Sequence, residues 1–203
     1  MKSQDALKRL LNGNERFVEN KQQIVVKSSS QRREELSDSQ SPFAVILTCS
    51  DSRLPAEILF DQGLGDLFVV RVAGNVINPE VVGSVEFAVQ SLGSNLVLVM
   101  GHTKCGAVTA ALECTRDPSI RLSPGLSSIV DRIRPSIERV ISSGGSRSDD
   151  DILDDGIAEN TRVGVELLLQ SSEILREKVN AGNLSILGAS YSIESGKVSL
   201  LDN

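Results

Sequence analysis

Residues 43–53 read FAVILTCSDSR and residues 96–108 read LVLVMGHTKCGAV. Each stretch is a short apolar run that ends in a cysteine or histidine and then turns polar. Runs that are apolar on both faces are typical of strands buried in a parallel sheet. Because the carboxyl ends of parallel strands meet at one edge of a sheet, we expect Cys49, His102 and Cys105 to lie close together there.

Outward from these two stretches, strands alternate with helices along the chain. Further strands are predicted at residues 67–73, more loosely at 184–193, and at 197–201 after a turn. Helical periodicity is found over 3–20, 79–92, 106–113, 126–141 and 157–181, and the polar stretch 27–41 could hold one more short helix. The predicted fold is α/β, with a mainly parallel central sheet flanked by helices, an N-terminal helical arm and a short C-terminal strand.

The length of 203 residues suits a single domain. We expect residues 1–41 to form the helical arm and residues 42–203 to form the α/β core. Residues 142–155, SSGGSRSDDDILDD, are rich in Gly and Ser and then acidic. This composition predicts a mobile surface loop and not a linker, because too little chain follows it to build a second core.

Net charge, the lengths of the apolar runs and the number of cysteines argue against several classes of protein. The net charge of −6 argues against nucleic acid as a partner, which would favour a basic face. No apolar run approaches the length that spans a membrane, and no secretory signal is recognisable at the start. Three cysteines do not suit a disulfide framework. We therefore expect a cytoplasmic protein that uses its cysteines for binding or catalysis, or buries them.

The two strand ends carry a plausible metal-binding set. Two thiolates and one imidazole suit zinc, and three protein ligands leave a fourth position open, as in catalytic sites. Cys105 also begins a predicted helix, whose N-terminus favours a thiolate. A lone histidine such as His102 is often a hydrogen-bonded core residue instead. The pattern His-x-x-Cys after a buried strand, with Cys49 at a second strand end, favours the metal site.

Asp51 and Arg53 follow Cys49 within two and four residues. A guanidinium can hold a carboxylate through two hydrogen bonds and keep it ionised. A carboxylate fixed beside a metal-bound water can accept a hydrogen bond from that water and orient it toward substrate. Without the neighbouring cysteine, a helix-capping Asp and a surface Arg would be the simpler interpretation.

Residues 49–53 (CSDSR) and 101–108 (GHTKCGAV) resemble the two signature motifs of the β-class carbonic anhydrases. The resemblance extends over residues 6–21, 60–75 and 187–201, and so covers nearly the whole chain. It implies reversible hydration of carbon dioxide to bicarbonate and a proton through a zinc-bound hydroxide. One Zn²⁺ per subunit would be held by Cys49, His102 and Cys105, with Asp51 and Arg53 as the catalytic dyad.

The resemblance also implies a substrate pocket and an assembly. Gln40 and Phe68 match substrate-contacting residues of the plant-like subtype, which reach the zinc of a neighbouring subunit in a homo-oligomer built from dimers. Phe87 stands where many members have a Tyr and lacks its hydroxyl. Ile46 replaces a Trp of the allosteric bicarbonate pocket found in the switchable subtype. With Gln40 present, this favours the open, non-allosteric type.

Four alternatives stay open at this point. Cys49 could act as a nucleophile, although Arg53 follows more closely than in the phosphatase loop and no second histidine is free to act as base. A nucleotide-binding module is disfavoured because residues 63–65 precede a strand and lack the GxGxxG context. A non-catalytic zinc scaffold would need a fourth ligand, for which Cys114 is the only spare thiol. A hydrolase of carbon disulfide or carbonyl sulfide could use the same zinc site.

The charge of the ligand set predicts the pH dependence of activity. Two thiolates cancel the formal charge of Zn²⁺, so bound water is acidified less than beside three neutral imidazoles, where its pKa is about 7. Carbon dioxide hydration, followed by stopped flow, should therefore rise above neutral pH. A rate already constant from mildly acid pH upward would contradict this prediction.

Overall fold

The computed structural model describes residues 1–23, 28–144 and 148–202. Within these ranges the chain forms eight α-helices and five strands. The helices are α1 (Ser3–Val18), α2 (Ser30–Glu35), α3 (Ala56–Leu59), α4 (Pro79–Gln90), α5 (Gly106–Arg116), α6 (Pro124–Ser142), α7 (Asp149–Ser171) and α8 (Glu173–Asn180). The strands are β1 (Ala44–Thr48), β2 (Leu67–Arg71), β3 (Leu96–His102), β4 (Ser185–Tyr191) and β5 (Val198–Leu200).

The strands form one sheet in the order β2-β1-β3-β4-β5. The first four are parallel, and β5 pairs with β4 in the antiparallel direction. In the central pair, Thr48 of β1 lies opposite Met100 of β3. The carboxyl ends of β1 and β3 therefore share one edge of the sheet. The predicted mainly parallel α/β fold is confirmed.

Alternate residues of the central strands enter two hydrophobic layers. Ile46 and Leu98 face one layer, which includes residues of α1, α3, α5 and α6. Val45 and Val97 face the other, which includes residues of α4 and α8. Because both faces are covered by apolar side chains, a shift of one residue would exchange the two sets. The packing on both faces thus fixes the strand register.

Helix α1 packs against the core of its own chain. Leu10 is fully buried, and Asn14 joins three distant backbone groups. The Asn14 side chain donates to the carbonyl oxygens of Leu59 and Gly196, at 3.1 and 2.9 Å, and accepts from the backbone N–H of Val198 at 2.8 Å. These bonds tie the N-terminal helix to the end of the sheet.

The predicted loop at 142–155 is wrong in its acidic half. Helix α7 begins at Asp149, after a capping box in which Ser148 accepts from the backbone N–H of Asp151 and the Asp151 carboxylate accepts from that of Ser148. Three acidic residues in the first turn favour a helix, because negative charge is stabilised at a helix N-terminus. The Gly/Ser-rich residues 145–147 lie outside the described residues, as does residue 27 of the other polar stretch.

One helix and one strand also differ from the sequence prediction. The single helix predicted over 157–181 is two helices, because Ser172 is extended (φ −131°, ψ 116°) and its Oγ accepts from the backbone N–H of Leu175 at the start of α8. Strand β2 was expected to be buried, but it lies at the sheet edge with Phe68, Val69 and Val70 partly exposed.

Among the described residues, no helix combines the length and apolarity that crossing a bilayer requires.

The capping box gives a prediction about stability. Ser148→Ala removes the side chain that caps α7, so we expect the free energy of unfolding to fall by about 1 kcal/mol. Urea denaturation followed by circular dichroism measures this change. Ser128→Ala, at an exposed position within α6, is the control and should alter stability by less than about 0.5 kcal/mol. Equal midpoints for wild type and Ser148→Ala would show that the cap contributes nothing.

Candidate metal centre

Three elements bring one donor each to the sheet edge. Cys49 directly follows β1, His102 is the last residue of β3, and Cys105 is the N-cap of α5. The sulfur and ring nitrogen atoms all lie within 4.8 Å of one another. The three side chains are buried, with residue exposures of 5%, 0% and 1%. The structure thus brings together the residues that the sequence singled out.

The histidine ring has a free nitrogen facing this cluster. His102 Nδ1 lies 2.9 Å from the carbonyl oxygen of Thr103, which accepts a hydrogen bond and so assigns the proton to Nδ1. Nε2 is buried and has no hydrogen-bond partner among the described residues. A buried nitrogen without a partner is costly unless it binds something. With two cysteine sulfurs beside it, the donor set fits a zinc ion.

The turn between His102 and Cys105 is held by the β4–β5 connection. The Thr103 N–H donates to the Tyr191 carbonyl at 3.0 Å, and the Thr103 hydroxyl accepts from the Ile193 N–H at 3.1 Å. Lys104 then takes a left-handed conformation with φ 57°. The left-handed turn at Lys104 lets the side chains of His102 and Cys105 face the same cluster.

The two thiols share a proton unequally. The hydrogen bond from Cys105 is the largest of the effects that lower the pKa of Cys49 to about 4, and the Gly74 N–H adds to it. The same bond, together with burial, raises the pKa of Cys105. The two sulfurs therefore hold one proton between them, and metal binding would have to release it, which makes affinity pH-dependent.

Asp51 is clamped by Arg53 beside the cluster. Arg53 donates from Nε to Oδ1 at 2.9 Å and from Nη2 to Oδ2 at 2.7 Å, and its backbone N–H also bonds Oδ1 at 3.0 Å. These bonds hold the pKa of Asp51 well below its usual range. Oδ2 lies 4.0 Å from His102 Nε2. The carboxylate thus stays ionised and faces the donor cluster.

Arg71 is a site residue that the sequence interpretation missed. At the end of β2, its guanidinium donates to the carbonyl oxygens of Cys49 and Asp51, at 3.1 and 2.5 Å. It therefore holds the backbone that carries the first donor and the carboxylate. A single charged residue at the end of the apolar run LFVVR was the available signal.

Known proteins that are similar to this chain are described as carbonic anhydrases. A family model described as "Carbonic anhydrase" matches residues 44–198. Carbonic anhydrase 2 of Mycobacterium tuberculosis is 40% identical over 200 residues, covering 98% of this chain and 92% of the relative. The chain belongs to the β-carbonic anhydrase family. It is therefore an enzyme of the carbonic anhydrase class.

Solved structures of the same family share the fold. The β-carbonic anhydrase CafA of Aspergillus fumigatus superposes with a TM-score of 0.75 at 30% identity, covering 85% of this chain and 83% of that one. Two β-carbonic anhydrases of Sordaria macrospora, described as tetrameric, are represented by a chain with a TM-score of 0.73 at 22% identity. That likeness covers 84% of this chain and 85% of that one, and it supports the fold alone.

The three candidate substrate residues of this β-carbonic anhydrase lie away from its own donor cluster. Phe68 pairs in register with Val45, four residues before Cys49, or about 13 Å along the strand. Its ring lies 6.2 Å from that of Phe87, which is 50% exposed. Gln40 is exposed in the segment before β1. Within one chain, the structure does not gather these residues around the cluster.

Cys114 does not join the metal-binding set. It is buried in α5, and the group of donor atoms found among the described residues consists of Cys49, His102 and Cys105 alone. A closed structural zinc site would need a fourth protein donor. The scaffold alternative therefore lacks its required ligand in the described part of the chain.

The donor set predicts how metal content responds to mutation. Cys49→Ser and Cys105→Ser each remove a thiolate ligand, so we expect zinc affinity to fall by more than about 100-fold. This exceeds the loss that is typical when a group hydrogen-bonded to a ligand is removed. Elemental analysis after dialysis, with a chelator competition, measures stoichiometry and affinity. Cys114→Ser is the matched control and should retain one zinc per chain. Full zinc content in the Cys105→Ser protein would exclude this ligand set.

Proposed function

We propose that this enzyme hydrates carbon dioxide reversibly to bicarbonate and a proton, using one Zn²⁺ per subunit held by Cys49, His102 and Cys105. The observation that supports this most directly is the ionised Asp51, held by Arg53 next to a buried set of three donors within the described part of the chain. A site of this kind leaves one position for water. When bound, zinc would supply the Lewis acidity that lowers the pKa of a water held at that position.

Asp51 acts in this proposal as an acceptor that orients the attacking oxygen. Arg53 occupies Oδ1 twice and Oδ2 once, so Oδ2 keeps acceptor capacity on the side of His102. The low pKa of Asp51 keeps it from storing the proton at neutral pH. It therefore accepts a hydrogen bond and selects which lone pair faces carbon dioxide.

Arg71 contributes by keeping this arrangement fixed before substrate arrives. Its two bonds to backbone carbonyls restrain residues 49–51 as a unit. Donors and acceptors that are already in place need no reorganisation during the reaction. The dyad and the first ligand thus share one rigid support.

The substrate wall is proposed to come from a second subunit. A partly exposed Phe68 on β2 and an exposed Phe87 on α4 form an apolar pair, and Gln40 is exposed in the segment just before β1. Carbon dioxide is small and apolar, so two phenyl rings suit it, while a Gln amide could bond an oxygen of bicarbonate. We propose a homo-oligomer built from dimers, in which each chain of residues 1–203 is a single domain that completes its partner's pocket.

The proton must leave without a histidine relay. His102 is the only histidine, it is fully buried, and Thr103 holds its Nδ1. Water, buffer or a carboxylate must therefore carry the proton away. All three cysteines are free, which agrees with a reducing compartment such as the cytoplasm.

The dyad can be tested by a double-mutant cycle. Asp51→Asn keeps the size of the side chain but removes its charge, and Arg53→Gln removes the clamp. Since the pair acts as one unit, each single variant should lower kcat/KM for carbon dioxide by about 10²–10⁴-fold, and the double variant by little more. Stopped-flow hydration assays on zinc-loaded proteins give these values.

Zinc content is the control for this experiment, because all three variants should keep one zinc per chain. Wild-type kcat/KM in Asp51→Asn would remove Asp51 from the mechanism. A zinc-loaded wild type that does not hydrate carbon dioxide would overturn the proposed function and leave sulfur-containing substrates or a scaffold role.

A further inference from the structure

Helix α7 packs against β3 and β4, and one of its polar side chains, that of Asn160, reaches the turn after β2. Asn160 is 5% exposed and donates from Nδ2 to the carbonyl oxygen of Gly74 at 2.9 Å. The two residues are 86 positions apart in sequence. A buried amide of this kind must satisfy its hydrogen bonds within the protein, so the pair is a fixed contact between α7 and the turn after β2.

Gly74 is the middle residue of a 3₁₀ turn, Ala73–Asn75, and touches a metal ligand. Its N–H donates to the Sγ of Cys49 at 3.2 Å. Its φ of 65° is left-handed, and a Cβ there would lie 2.6 Å from Ile133 Cδ1. A larger residue would therefore not fit at this position, and glycine is required for the turn that presents the N–H to the Cys49 sulfur.

We infer that Asn160 is a positioning residue for Cys49, acting through Gly74. The side chain fixes the Gly74 carbonyl, and the N–H of the same residue fixes the sulfur. This inference rests on the proposed zinc site. It assigns to α7 a role in the metal centre beyond packing against β3 and β4.

The effect on the metal follows from charge. A thiolate that accepts an N–H hydrogen bond donates less electron density to a metal, and its lone pairs are turned in a defined direction. Groups that hydrogen-bond a metal ligand directly, as the Gly74 N–H does, usually change metal affinity by about 10–100-fold when they are removed.

A purely structural role makes a different prediction. If Asn160 only satisfies buried polar groups, its loss should lower stability and leave the metal centre unchanged. Asn14 provides the matched control, because it is also a buried Asn that donates to backbone carbonyls. Its partners, Leu59, Gly196 and Val198, include no metal ligand.

The test compares Asn160→Ala, Asn160→Leu and Asn14→Ala in full-length protein. Zinc affinity is measured by chelator competition, and the thiolate-to-metal charge-transfer band is recorded after Co²⁺ substitution. We expect both Asn160 variants to bind zinc about 10-fold more weakly and to shift the band; this is the lower end of the range for groups that bond a ligand directly, because Asn160 acts through Gly74. Asn14→Ala should change neither the zinc affinity nor the band, even if its melting temperature falls as much as those of the Asn160 variants.

Unchanged affinity and an unchanged band in the Asn160 variants would overturn the inference. Should neither variant fold, Asn160→Ser decides, because its shorter side chain stays polar but does not reach the Gly74 carbonyl as Asn160 does. After loading with ¹¹³Cd, its Gly74 amide proton should show a weaker scalar coupling to cadmium through Cys49 than in wild type, and equal coupling in the two proteins overturns the inference as well. A wild type that binds no zinc instead overturns the proposed function, so the two failures are distinguishable.

Discussion

The register between β1 and β3 is the constraint on which the metal centre depends. Thr48 lies opposite Met100, so the chain leaves β1 at the level where β3 still runs on to His102. Hydrophobic layers on both faces of the sheet hold this register, since a slip of one residue would exchange the side chains that pack in the two layers. The distance between Cys49 and His102 is therefore set by core packing far more than by the loops around them.

Around that edge, each group with negative charge has donors placed against it. Arg53 holds the Asp51 carboxylate, Arg71 holds the carbonyls of the same loop, and the Gly74 N–H points at the Cys49 sulfur. The Gly74 bond is buried and is worth more than in water, because solvent does not compete with it, whereas the bonds from the two arginines to Asp51 are exposed to solvent. The site is thus a small anionic centre whose support comes from the backbone and from two arginines.

The sequence predicted the parts of this centre that depend on residues close together in the chain. Strand ends, a helix start and the spacings within CSDSR and HTKC identified three donors and a carboxylate. The acidic start of α7 was misinterpreted as a loop because Asp-rich stretches occur in both, and only the Ser148–Asp151 capping box distinguishes them. Asn160 could not be found, because nothing near it in sequence shows that its side chain meets Gly74.

The connection from Gly74 to Asn160 also bears on how the chain comes to hold a metal. Cys49 and His102 are separated by a strand, two helices and another strand, and the contact behind Cys49 reaches a further 58 residues along the chain. No short segment contains the site, unlike a zinc finger, in which one local unit folds around its ion. Contacts this distant in sequence form late, since closing long loops is slow. During synthesis, the bond from Asn160 to Gly74 therefore cannot form until α7 has left the ribosome and docked against the sheet.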